Sequence, residues 1–130
     1  THNEVRRVFL DGRRIDPADI LPSRGGVSYG HWEGDTLVVE TTGMKESIDQ
    51  ATAHSENARI VERYTPNVRD GMRRLRVELT IHDPDFYTTP PTILREYTQL
   101  QQGRMLDYDC TEPDWDEHLE KLREQKQRGK

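Results

Sequence analysis

The stretch Gly30-His31-Trp32-Glu33-Gly34-Asp35-Thr36-Leu37-Val38-Val39-Glu40-Thr41-Thr42-Gly43 reads as a β-hairpin. Gly34-Asp35 supplies the bend, because glycine reaches the positive φ values that tight turns need. Residues 36–42 are rich in β-branched side chains, which suit a pleated, half-buried surface. A hairpin here makes an all-β fold the first hypothesis for the rest of the chain.

The flanking segments keep the same period of two. Residues 4–10 set Val5, Arg7 and Phe9 against Arg6, Val8 and Leu10 before the turn Asp11-Gly12. Residues 58–66 read as a strand, followed by a turn within 67–71. Residues 72–82 are the clearest strand, with Leu75, Val77, Leu79 and Ile81 on one face and Arg74, Arg76, Glu78 and Thr80 on the other. Asp83-Pro84-Asp85 breaks it, and residues 93–100 and 105–110 close the series, with a turn at Gln102-Gly103. Asp16 and Pro17 have the chemistry of a cap and a first helical residue, so they predict a short helical turn. Residues 45–51 predict a second short helix, inside the long connection 43–57.

About seven strands joined mostly by tight turns predict a curved antiparallel sheet, barrel-like or folded as a sandwich. It would occupy residues 1–113. From Asp114 onward Trp115, Leu119 and Leu122 fall near i, i+4, i+7 spacing, which predicts a polar C-terminal helix over residues 114–130.

Composition narrows the function. The 130 residues fit one domain, and 32% hydrophobic against 33% charged implies a small core or one completed by a partner. A net charge of −5 with no basic stripe argues against nucleic-acid binding. No apolar run reaches the length of a membrane span. A lone cysteine, Cys110, excludes an internal disulfide and a cysteine-rich metal site, and no cofactor motif is present.

The hairpin motif, taken with Asn3-Glu4-Val5-Arg6-Arg7, Asp11-Gly12-Arg13, His54-Ser55-Glu56, Asp83-Pro84, Tyr87 and Tyr108-Asp109-Cys110-Thr111-Glu112, resembles a widespread group of uncharacterised bacterial proteins. Many members carry export signals, so the resemblance implies a periplasmic or secreted location. It implies no activity. Members usually have arginine where His31 stands and an additional strand ahead of the residues matching 3–7. A shortened member would leave a sheet edge open to pairing in a homo-oligomer.

Among chemistry-bearing residues, His54-Ser55-Glu56 stands out. On an extended strand His54 and Glu56 share a face, and a histidine beside a carboxylate can direct proton transfer. The pair could equally give two metal ligands, with a third from His31, His82 or Asp83, although no metal-binding spacing supports this. The structural alternative pairs Glu56 with Arg59 or Arg63. Arg63, if it faces inward, needs a carboxylate such as Glu56 or Glu112, or an anionic ligand. His31, Trp32, Tyr64, Tyr87, Tyr108 and Glu112 are candidates to line a ligand site.

Three readings follow. The first is a small-molecule-binding β domain. The second is a cofactor-free isomerase, cyclase, lyase or hydrolase, with His54 as base, Glu56 or Asp83 to orient it, and Arg63 with a tyrosine to hold an oxyanion. The third is an assembly module that pairs through edge strands.

Overall fold

The computed structural model describes residues 5–49 and 52–103. Val5–Gly103 form one compact unit holding a single sheet in the order β1-β2-β3-β4-β5-β6. The strands are β1 (Val8–Phe9), β2 (Val27–Glu33), β3 (Thr36–Thr42), β4 (Arg59–Arg69), β5 (Met72–His82) and β6 (Thr92–Thr98). The predicted strand over residues 105–110, the predicted helix over 114–130 and the boundary between them lie outside the described residues.

Two expectations are corrected. The sheet does not close into a barrel: β1 and β6 are its two edges, and every other strand pairs with its neighbours in sequence. Nor is it wholly antiparallel, because β1 runs parallel to β2. The link between them contains a single 3-10 turn, Pro17–Asp19, and is long enough to carry the chain back for a parallel alignment. That turn is capped as predicted, with the Asp16 side chain accepting from Ala18 N–H at 2.9 Å. The helix predicted within 45–51 is absent over the described residues 45–49. Ser47 and His54 instead exchange two backbone hydrogen bonds of 2.9 Å, which ties the loop into a bridge.

Two tight turns set the register. Gly34 sits at φ 59 between β2 and β3, in the sign pattern of a hairpin turn with glycine first. Asp70 and Gly71 both take positive φ, 53 and 71, and join β4 to β5 with Arg69 facing Met72. Both central residues at positive φ are what an Asp-Gly hairpin turn requires. β4 therefore continues to Arg69, three residues past Pro66, where strand patterning alone would stop it. Proline is tolerated there because β3 covers β4 only as far as Tyr64, so the remainder of β4 is open on that side.

The registers divide the side chains between two faces. One carries Ser28, Gly30 and Trp32 from β2, Leu37, Val39 and Thr41 from β3, then Ile60, Glu62 and Tyr64 from β4. Leu75, Val77, Leu79 and Ile81 of β5 continue it, followed by Ile93, Arg95 and Tyr97 of β6. At one end of this face Met44, Ala58, Ile60 and Ile81 form the core, with Leu79 and Tyr87 packed against it. Burying a side chain such as Ile81 is worth about 2–3 kcal/mol.

The opposite face is charged and largely paired. Glu40 takes Arg14 and Arg59, Glu33 takes Arg63, and Glu96 takes Arg74. These exposed pairs help specify register and, being screened by water, add little to stability. Where this face is buried, Tyr29 lies against Phe9 and under the Arg14 guanidinium, and its hydroxyl accepts from Ile15 N–H at 3.0 Å.

Candidate functional site

The predicted cluster around His54 is a structural knot. The chain turns at 55–58, with Ala58 N–H bonded to the Ser55 carbonyl and Asn57 N–H to the Ser55 hydroxyl, so His54 and Glu56 do not share an extended face. A short serine-centred turn of this kind competes with strand geometry. Glu56 is exposed. His54 is buried, with Nδ1 2.7 Å from the Thr52 carbonyl. That contact makes Nδ1 a donor, and Nε2 has no hydrogen-bond partner among the described residues.

Asp83 serves Ser55 rather than His54. Its carboxylate accepts from Ser55 N–H at 2.6 Å, from the Ser55 hydroxyl at 2.9 Å and from Asp85 N–H at 3.1 Å. Burial pushes the Asp83 carboxyl up, but these donors outweigh it and hold the group below its ordinary value of 3.8. Tyr87 is tied to the same region, its hydroxyl donating to the Ala53 carbonyl at 2.8 Å.

Arg63 faces away from this knot. It lies on the charged face and donates to Glu33 at 2.6 Å, and His31 approaches the other Glu33 oxygen at 3.1 Å. The expectation that Arg63 points inward is thus corrected. β4 turns its Ile60, Glu62, Tyr64 side toward the apolar residues of β5, and Arg63 has the opposite parity. Trp32 is 61% exposed, at the far end of a cross-strand row that runs through Leu37, Tyr64 and Val77 to Arg95. Tyr108 and Glu112 lie outside the described residues. No group of three or more His, Cys, Asp or Glu side chains is gathered as a metal would require, among the described residues.

A different constellation does converge. A trough of about 350 Å³ opens beyond the core end of the apolar face. Its floor is Leu75, Val77 and Leu79 of β5, and its walls are Glu62 and Tyr64 of β4 and Arg95 and Tyr97 of β6. Arg6, from the segment before β1, reaches over to the β4 side. There Arg6 Nη1 donates to Glu62 Oε2 at 2.6 Å, Arg6 Nη2 donates to the Tyr64 hydroxyl at 2.8 Å, and that hydroxyl donates to Glu62 Oε1 at 2.8 Å. Glu62 is buried, so this closed ring of bonds satisfies a carboxylate that would otherwise be costly in an apolar sheet face. A wider hollow of about 490 Å³ beside Gly71, Met72 and Gln99 has no comparable set of interlocked polar groups among the described residues.

The ring also sets the chemistry of its members. Desolvation, then the Glu62 charge and hydrogen bond, push the Tyr64 phenol up to about 12 from 10.0. Burial works against the Arg6 charge, but Glu62 more than compensates and raises its pKa. A phenol titrating so high is a hydrogen-bonding group rather than a general base at neutral pH.

Glu62→Gln is expected to remove the charge at the centre of this ring and lower stability by about 1–2 kcal/mol, the partly solvated Arg6 limiting the loss. Tyr64 should then titrate below 12, since the neighbouring negative charge is gone. In the wild type a raised phenol pKa means stability present below pH 10.0 and lost as pH climbs toward 12; the variant should lose stability over a narrower window. Alkaline absorbance titration and urea unfolding measure both, and an unchanged Tyr64 titration would contradict the assignment.

Sequence reading passed over Arg6, Glu62 and Arg95 as site residues. The Asp70-Gly71 turn carried a usable signal, since it aligns Glu62 with Leu79 and so places a carboxylate on the apolar face. No known family, curated protein or solved structure matches the chain. Function is therefore read from this geometry and from the residues themselves.

Proposed function

We propose that the protein is a small-molecule-binding domain whose ligand lies in the trough over β4, β5 and β6. The observation that carries this reading is the combination of an apolar floor with converging polar walls: Leu75, Val77 and Leu79 beneath, the Arg6–Glu62–Tyr64 ring on one side, Arg95 and Tyr97 on the other. Sites for small organic ligands pair mainly apolar lining with a few placed polar groups in this way. The acid–base alternative receives less support, because His54, Glu56, Arg63 and Asp83 engage separate partners or none and do not line the trough. The resemblance of the hairpin to exported bacterial proteins supports a periplasmic or secreted setting for the binding.

A thermal-shift screen of small aromatic and aliphatic compounds tests the reading. A ligand present at a hundred times its Kd should stabilise the wild type by about 2.7 kcal/mol. Tyr97→Ala removes an exposed wall residue, so the fold should persist while affinity falls about tenfold. Hits that protect Tyr97→Ala as well as the wild type would remove the trough from consideration.

A further inference from the structure

We propose that the ligand of the trough is a monocarboxylate with a flat apolar body, seated with its acid group on the Arg95 guanidinium. The inference rests on the binding reading above and adds the ligand's class. Arg95 stands directly across from Val77, with Ile93 and Leu79 paired on one side of it and Tyr97 and Leu75 on the other. Its guanidinium makes no hydrogen bond or ion pair among the described residues. By contrast, Arg74 and Arg76, on the other face of the same strand pair, are matched by Glu96 and Glu78.

Among the described residues of the lining Glu62 is the one carboxylate, and both its oxygens are engaged, one by Arg6 and one by the Tyr64 hydroxyl. Among the described residues two guanidiniums therefore face one carboxylate around a pocket with an apolar floor, in a chain whose overall charge is negative. A ligand with a single negative charge matches the one guanidinium of the described lining that no carboxylate engages, and a doubly charged one exceeds it. The planar fork of donors on a guanidinium matches a carboxylate in two-point contact. The Tyr97 ring beside the Leu75–Val77–Leu79 row fits a flat ring system rather than a bulky or strongly polar one.

The test compares 2-naphthoate with 2-naphthamide, two probes of the same shape that differ in charge, by NMR titration and calorimetry on the full chain. The acid should shift resonances of the trough and bind about tenfold to a hundredfold more tightly than the amide. Arg95→Gln should erase that advantage and leave the amide's affinity unchanged. Arg76→Gln makes the same change in net charge on the opposite face and should preserve the advantage. Equal binding of acid and amide at the trough, or an advantage that survives Arg95→Gln, overturns the carboxylate proposal and leaves the trough as a binding site. Shifts from neither probe at any trough residue would overturn both. Because Arg95 is exposed on an edge strand, its substitution should leave the circular dichroism spectrum and melting temperature unchanged.

Discussion

Asp83→Ala lowers stability by about 3 kcal/mol or more, seen as a fall in melting temperature of roughly 10 °C. Asp83 is 2% exposed and accepts from three donors, two of them on buried Ser55. Alanine leaves the N–H of buried Ser55 without an acceptor and its hydroxyl with only the longer 3.2 Å bond to Asp85, and an unpaired buried donor costs more than its hydrogen bond contributed. The same network joins the turn at 55–58 to the end of β5, next to Ala58 and Ile81 of the core. Its loss should loosen the packed end of the sheet first.

The pH dependence has a definite sign. The folded pKa of Asp83 lies below 3.8, so its contribution is complete above that value and is lost as pH falls through the folded pKa. Wild-type stability should therefore decline on acidification below about pH 4, and Asp83→Ala should lack that part of the slope. Melting curves from pH 7 to pH 2 for the two proteins decide the matter. A variant that melts within a degree or two of the wild type at neutral pH would show that the Ser55–Asp83 clasp does not hold the fold.

Gly26→Ala is the second large effect, with an expected loss of about 3 kcal/mol. Gly26 adopts φ 61, and a Cβ there would lie 2.4 Å from the Thr42 carbonyl oxygen and 2.8 Å from Met44 Cγ. The oxygen belongs to the backbone of β3, so it cannot swing aside as a side chain could. Gly34→Ala isolates the two causes. Gly34 has a similar φ of 59 but nothing within 4 Å of the added atom, so it should lose only about 1 kcal/mol. Urea midpoints for the pair measure the difference, and equal losses would mean that φ alone, and not the contact with Thr42, makes glycine necessary.

Local chemistry made most of the sheet readable. The Gly34-Asp35 bend and the alternation in 36–42 and 72–82 correspond to β2, β3 and β5 closely, because a strand half-buried on one face writes that burial directly into a period of two. The strand read over 58–66 stops short of β4 because the turn signal spreads over 67–71, whereas the turn itself is only Asp70-Gly71, and the short reach of β3 lets Pro66 lie inside the strand. The direction of β1 was not readable, since two residues of strand are compatible with either orientation and the long link to β2 permits both. The helix expected within 45–51 is replaced over the described residues by the backbone bonds between Ser47 and His54.

The site divides in the same way. Alternation along β4 separates Arg63 from Glu62 and Tyr64 but leaves open which side is inward; the register that the Asp70-Gly71 turn sets in the folded sheet puts Glu62 and Tyr64 on the apolar face. Which groups answer Glu62, and that no described carboxylate answers Arg95, depended on contacts between residues far apart in the chain. Arg6 meets Glu62 across a separation of 56 positions, and Ser55 meets Asp83 across 28. Such pairings leave no periodic trace, since each is one contact made by the folded sheet rather than a repeated local preference. The order of the residues thus settled a β-hairpin protein with one apolar face. Tertiary structure alone tied Ser55 to Asp83 and gathered Arg6, Glu62, Tyr64 and Arg95 around one trough.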